Sequence, residues 1–143
     1  MPEINSWLAW AVLSAIFAAL TAIFAKIGVQ DINSTAATFI RTIVITAILA
    51  IIVFERDVMP PLRSISLRTY FFLTLSAIAT GASWVCYFRA LQLGDAARVA
   101  PIDKLSVILV AIFGVLLLGE QLSWLNWMGV ALTAAGIALV ALV

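Results

Sequence analysis

STAATFIRTIVITAILAIIVF, residues 34–54, carries a single charged side chain, Arg41, and is otherwise built mainly of Ala, Ile, Thr and Val. A helix rises 1.5 Å per residue, so about twenty residues cross the ~30 Å of hydrocarbon in a bilayer. The apolar residues run on without a polar residue at every second place, as a barrel strand would need, so the stretch reads as a membrane-spanning helix. Working outward, four further stretches have the same character. The five run from about Trp7 to Val29, Ser34 to Phe54, Thr69 to Leu91, Ala97 to Leu118 and Trp124 to Leu142. The fold class expected is an all-α membrane protein of five transmembrane helices, within one domain over residues 1–143.

The composition requires the same conclusion. Hydrophobic residues make up 65% of the chain and charged residues 10%, where a soluble domain carries about a quarter charged. Too few polar side chains exist to cover a water-facing surface. The net charge of +1, with the basic residues scattered, offers no field for nucleic acid. Histidine is absent and Cys86 is the sole cysteine, which leaves no disulfide, no thiol or imidazole set for a metal, and no general base of the usual kind. No cofactor is expected, and the chain reads as a non-enzyme. Met1 to Ser6 contain Glu3 but neither Lys nor Arg, unlike the positive start of a cleaved signal peptide, so the first stretch is expected to be retained.

The breaks between stretches are short and polar, which sets neighbouring helices antiparallel. Only Glu55 to Arg68 is long, and Pro60-Pro61 inside it stop the second helix. This break is expected to be the hinge between a helix pair and a helix trio. Trp7, Trp10, Tyr70, Phe71, Phe72, Trp124 and Trp127 stand at the starts of the first, third and fifth stretches. Odd-numbered helices enter from one face, so these aromatics form a belt on one side. Arg56, Arg63 and Arg68 on the belt face balance Lys26, Arg89 and Arg98 on the other, so the positive-inside bias is weak and the chain can insert either way up. Ser14, Ala18 and Ala22, and Gly129, Thr133 and Gly136, give close-packing faces on the first and last helices. The expected location is the inner or plasma membrane, with lipid as the surrounding partner.

Charges inside the spans are the most informative feature. Arg41, Asp103 and Lys104 lie about two turns in, roughly 10 Å from the non-belt mouth. Lys26 and Arg89 enter from the same side, so one half of the bilayer holds five charged side chains. A charge at the centre of a membrane helix costs about 2.5–3.5 kcal/mol on insertion scales, so these groups should face protein or water. Lys26 and Arg89 can instead snorkel to the headgroups. The structural reading of the deep trio is an Arg41–Asp103 pair joining the second and fourth helices. Successive residues of a helix point about 100° apart, so this pair would leave Lys104 without a partner. A spare cation invites an anionic or zwitterionic solute.

Pro101 adds a helix break if Asp95 caps the fourth helix, because it removes the hydrogen bond to the carbonyl of Ala97. The other reading starts that helix at Pro101. Trp84, Tyr87 and Phe88 share a face of the third helix beside Arg89, where they floor a cavity or pack a core. Substrate-pathway candidates are therefore Arg41, Asp103, Lys104, Trp84, Tyr87, Arg89 and Lys26, with Pro101 as the helix break.

The run Ala96-Ala-Arg-Val-Ala-Pro-Ile-Asp-Lys-Leu-Ser, then Leu116-Leu-Leu-Gly-Glu, then the Gly-containing stretch Gly129 to Leu142, preceded by Tyr87-Phe-Arg-Ala-Leu-Gln-Leu-Gly, resembles an EamA repeat of the drug/metabolite transporter superfamily. The resemblance covers essentially the whole chain. It implies one half of a ten-helix inverted-repeat transporter, since most members are similar to two fused repeats that export amino acids or other metabolites. A single repeat implies a second copy, most simply an inverted one, in a homodimer. The small multidrug exporters of that superfamily use a glutamate in the first helix to bind cations. No acid lies in the first stretch here, so cationic drug export is disfavoured. The function expected is a secondary transporter or exporter of a small anionic or zwitterionic metabolite. The rival is a non-transporting accessory or assembly subunit of a membrane complex.

Overall fold

The computed structural model describes residues 4–61 and 64–142. Glu3, Arg63 and Val143, which entered the reading of the sequence, lie outside the described residues. All regular elements described are helical: α1 Ile4–Gly28, α2 Ser34–Glu55, α3 Leu67–Leu93, α4 Ala96–Asp103, α5 Leu105–Leu118 and α6 Trp124–Leu142. Among the described residues five segments are long and apolar enough to cross a membrane, and α4 with α5 make up one of them, Ala96–Leu118. The five-helix reading holds.

Local chemistry sets the ends. The Asn33 Oδ1 accepts hydrogen bonds from the N–H groups of Thr35 and Ala36, which starts α2. Ser66 and Ser123 do the same for the N–H groups of Thr69 and Asn126 at the starts of α3 and α6. At the end of α5, Gly119 takes the left-handed conformation at φ 70°, and its N–H and that of Glu120 both donate to the Gly114 carbonyl. The Glu120 carboxylate lies over Gly114, where a Cβ would come 2.5 Å from Oε2. The Leu116–Glu120 motif therefore has a local cause: one glycine for the turn and a second for the room beneath the acid. Inside the spans, the hydroxyls of Thr38, Thr42, Thr74, Thr80 and Thr133 donate to the carbonyl four residues back, which satisfies them without another helix.

The described residues fall into two compact units, one of Phe24–Gln92 and the other of those up to Ile23 with those from Leu93 onward. The division passes through α1 and the end of α3. It does not fall at Glu55 to Arg68, the hinge expected from the sequence. Contacts between sequence-distant ends explain the difference: Gln92 Nε2 donates to the carbonyls of Val29 (2.8 Å) and Ile32 (2.7 Å), so the end of α3 is bound to the end of α1. Val29, Phe88 and Leu91 are fully buried there, with Ser34 and Thr38 also buried at the start of α2. In the other unit α4 packs on α5 and α6. Most large apolar side chains of α1, α2, α3, α5 and α6 are exposed, as expected of surfaces that meet lipid.

The fourth span departs from a single helix over 97–118. The structure has α4 starting at Ala96, with Asp95 at the N-cap position, so Pro101 lies inside the helix and does not begin it. Pro101 brings no N–H to the Ala97 carbonyl. Three residues later the path tightens. The Lys104 N–H donates to the Pro101 carbonyl, and the Val107 N–H to the Lys104 carbonyl, each at 3.0 Å. These are three-residue bonds of the 3₁₀ kind, and they separate α4 from α5 at Lys104.

Candidate functional site

Arg41 sits in the second turn of α2, three residues past buried Thr38. Its guanidinium lies 4.2 Å from the centre of the Trp84 ring and 5.3 Å from that of Phe88, both on α3. Phe88 is 2% exposed, so it is core beneath the cation and not open floor. Tyr87 stands beside it, ring centres 6.3 Å apart. Trp84 and Phe88 are four residues apart and therefore on one face of α3, which is why a single cation on α2 meets both. Stacking engages the flat face of a guanidinium and leaves the N–H donors around its edge. Among the described residues of this unit no carboxylate forms an ion pair with Arg41.

Lys26 and Arg89 belong to the same unit and do different work. The Lys26 ammonium donates to the Leu91 carbonyl at 2.7 Å, capping the C-terminal end of α3, where carbonyls lack helical partners and the dipole favours a cation. The Arg89 Nη1 donates to the Gln92 Oε1 at 3.3 Å. Gln92 thus receives from Arg89 and gives to Val29 and Ile32. Sequence reasoning placed Gln92 in a loop and missed this role. The signal available was its position, a side chain with both donors and an acceptor just past the last apolar turn of a span.

In the other unit Lys104 and Asp103 pair with each other, Nζ to Oδ2 3.1 Å. This corrects the expectation that Lys104 is left over. The argument from 100° spacing holds only along an unbroken helix. Here α4 ends at Asp103 and Lys104 is the linking residue, φ −73° and ψ −3°. A concavity of about 480 Å³ adjoins the break, lined by Ala100, Pro101 and Lys104 on one side and by α1 from Ala11 to Ala22 on the other. The candidates therefore gather into two places. Arg41, Trp84 and Tyr87 join Phe88 in the unit that also holds Lys26 and Arg89 at the end of α3, and Pro101, Asp103 and Lys104 form the break.

A cation on an aromatic surface and an ion pair at a helix break can hold, orient and exchange charged groups. Comparison with known proteins gives the family. A protein of Sinorhizobium sp. named as an uncharacterized transporter in the cobO 3′ region is 61% identical over 137 residues, 96% of this chain and 97% of that one. No solved structure matches the chain. Residues 5–142, from the start of α1 to the end of α6, match the EamA-like transporter family, and the chain belongs to that family.

Proposed function

We propose that this multi-pass membrane transporter is a secondary transporter or exporter of a small anionic or zwitterionic metabolite, that it works as a dimer of five-helix units, and that it resides in the inner or plasma membrane. The observation that carries the reading is Arg41: a cation two turns inside a span, held at 4.2 Å over Trp84, with no acid paired to it among the described residues of its own unit. A permanent positive charge is retained at such a depth where it meets an anion or water. The stacked fork, open at its edge, fits a carboxylate or other planar or multi-oxygen anion. The dimer is read from the exposed apolar faces of this five-helix unit, which a second unit would cover in closing a pathway through the bilayer.

The test is anion uptake into proteoliposomes by wild type, Arg41→Gln and Arg41→Lys. Uptake should fall at least tenfold in Arg41→Gln, which keeps polar donors but loses the charge. Arg41→Lys should retain part of it, because the charge stays and the planar fork is lost. Wild-type rates in Arg41→Gln would overturn the role of Arg41. A wild-type protein that moves no solute, yet is required for the stability of another membrane protein, would make the chain an accessory subunit.

A further inference from the structure

The concavity beside the helix break holds a cation already engaged with a carboxylate, and that resident contact gives the chemistry of what can replace it. Lys104 lines the groove and takes its ion pair from Asp103 at 3.1 Å. Both side chains are accessible, Lys104 at 54% and Asp103 at 34%, so the pair can open without dismantling a core. The opposite wall is the face of α1 bearing Ala11, Ser14, Ala15, Ala18 and Ala22, a smooth wall of methyl groups with one hydroxyl. Ordinarily such a face lets two helices touch. Here it borders an open space of about 480 Å³, within the range of about 300–1,000 Å³ common for small-molecule sites.

Two polar side chains, those of Lys104 and Ser14, mark the groove as unsuited to lipid tails. Hydroxyls of threonines on α2, α3 and α6 close on their own helices, whereas among the described residues the Ser14 hydroxyl takes no partner. Polar groups left unsatisfied against hydrocarbon are unfavourable. Water or a polar solute removes that penalty.

We propose that the groove between α1 and the break at Lys104 binds the carboxylate of a small solute with a compact apolar body, and that Asp103 is the internal competitor the solute displaces from Lys104. The inference rests on the anionic or zwitterionic solute proposed above and narrows it. A monovalent carboxylate meets the Lys104 ammonium one charge for one, while Asp103, a third exposed and tethered to the neighbouring residue, turns to water. A phosphate dianion would add charge that one shared ammonium does not balance. Ser14 supplies a hydrogen-bond donor, and the methyl wall bounds the solute's size.

The test uses the full-length purified protein and measures binding of acetate, isobutyrate, valine and inorganic phosphate, with chloride balancing ionic strength, for wild type and three variants. Isobutyrate should bind wild type, weaken at least tenfold in Lys104→Met, and tighten severalfold in Asp103→Asn, where the competitor is gone. In Ala18→Leu the added bulk should exclude isobutyrate and spare acetate. Circular dichroism of each variant should match wild type, so that loss of binding is not loss of fold. Valine bound more tightly than isobutyrate identifies a zwitterion as the source of the carboxylate, and equal binding identifies a simple acid. Undiminished isobutyrate binding in Lys104→Met, or weakened binding in Asp103→Asn, overturns the site. Arg41-dependent phosphate uptake by a protein that binds no carboxylate overturns it while leaving the transport reading intact. Absence of both binding and uptake removes the two together.

Discussion

Arg41 and Lys104 enter their spans at nearly the same depth, the eighth residue from Ser34 and the ninth from Ala96, yet the protein handles the two charges in opposite ways. Arg41 is on an unbroken helix, so its sequence neighbours point elsewhere and its partners come from α3, as ring faces. Lys104 is at a break, and its partner is the residue before it. The intact span thus makes a cation depend on tertiary packing. The broken span lets a local pair form, and local pairs open easily. A charge held by a quadrupole is fixed in place but keeps its donors; a charge held by a neighbouring carboxylate has its ligand already in hand.

The end of α3 is the most tightly bonded part of the Arg41 unit, and changing it should produce the largest effect. Gln92→Leu removes both hydrogen bonds to the Val29 and Ile32 carbonyls. Leaving those acceptors without donors should cost about 1–3 kcal/mol, measured by denaturant-titrated unfolding in micelles. A change below that range would mean that water replaces the amide and that the junction of α1 and α3 is not set by Gln92.

A somewhat smaller loss is expected at Trp84. Trp84→Leu keeps an apolar side chain but removes the ring under Arg41, and a cation–π contact of this kind contributes about 0.5–2 kcal/mol. Trp84→Phe should recover part of that stability, and part of the uptake in the liposome assay, because a face remains for the guanidinium. Equal behaviour of Leu and Phe at this position would show that bulk alone matters there, which would blur the contrast with Lys104.

The smallest stability effect is expected at Lys104 itself. Both members of its ion pair are more than a third exposed on average, and such pairs contribute about 0–1 kcal/mol. Lys104→Met should therefore unfold within about 1 kcal/mol of wild type while losing carboxylate binding. A loss well above that would assign the pair to holding the break together.

The spans were legible because each is a long apolar run whose backbone bonds must close within the run itself, a constraint local to the sequence. Asn33 at the start of α2 and Gly119 at the end of α5 act as locally, although the reading of the sequence did not single them out as caps. The break at Pro101 was half legible: the missing N–H is local, but whether α4 begins before the proline depends on its packing against α6. The pairing of Arg41 was not legible. A search for opposite charge leads to Asp103, and the guanidinium instead took a ring, since a desolvated cation gains from either and α3 supplied the surface.

Sequence by itself determined that this is a membrane protein of five helical spans and that several charges lie inside them, because hydrophobic length acts on the chain locally. Only the tertiary structure decided which partner each charge has and which ends are tied together. Gln92 reaches Val29 and Ile32 across some sixty residues, Lys26 reaches the Leu91 carbonyl, and Arg41 reaches Trp84. Partners so far apart in the chain are chosen by which helix faces meet, and an almost uniformly apolar sequence carries too weak a periodicity to specify those faces in advance.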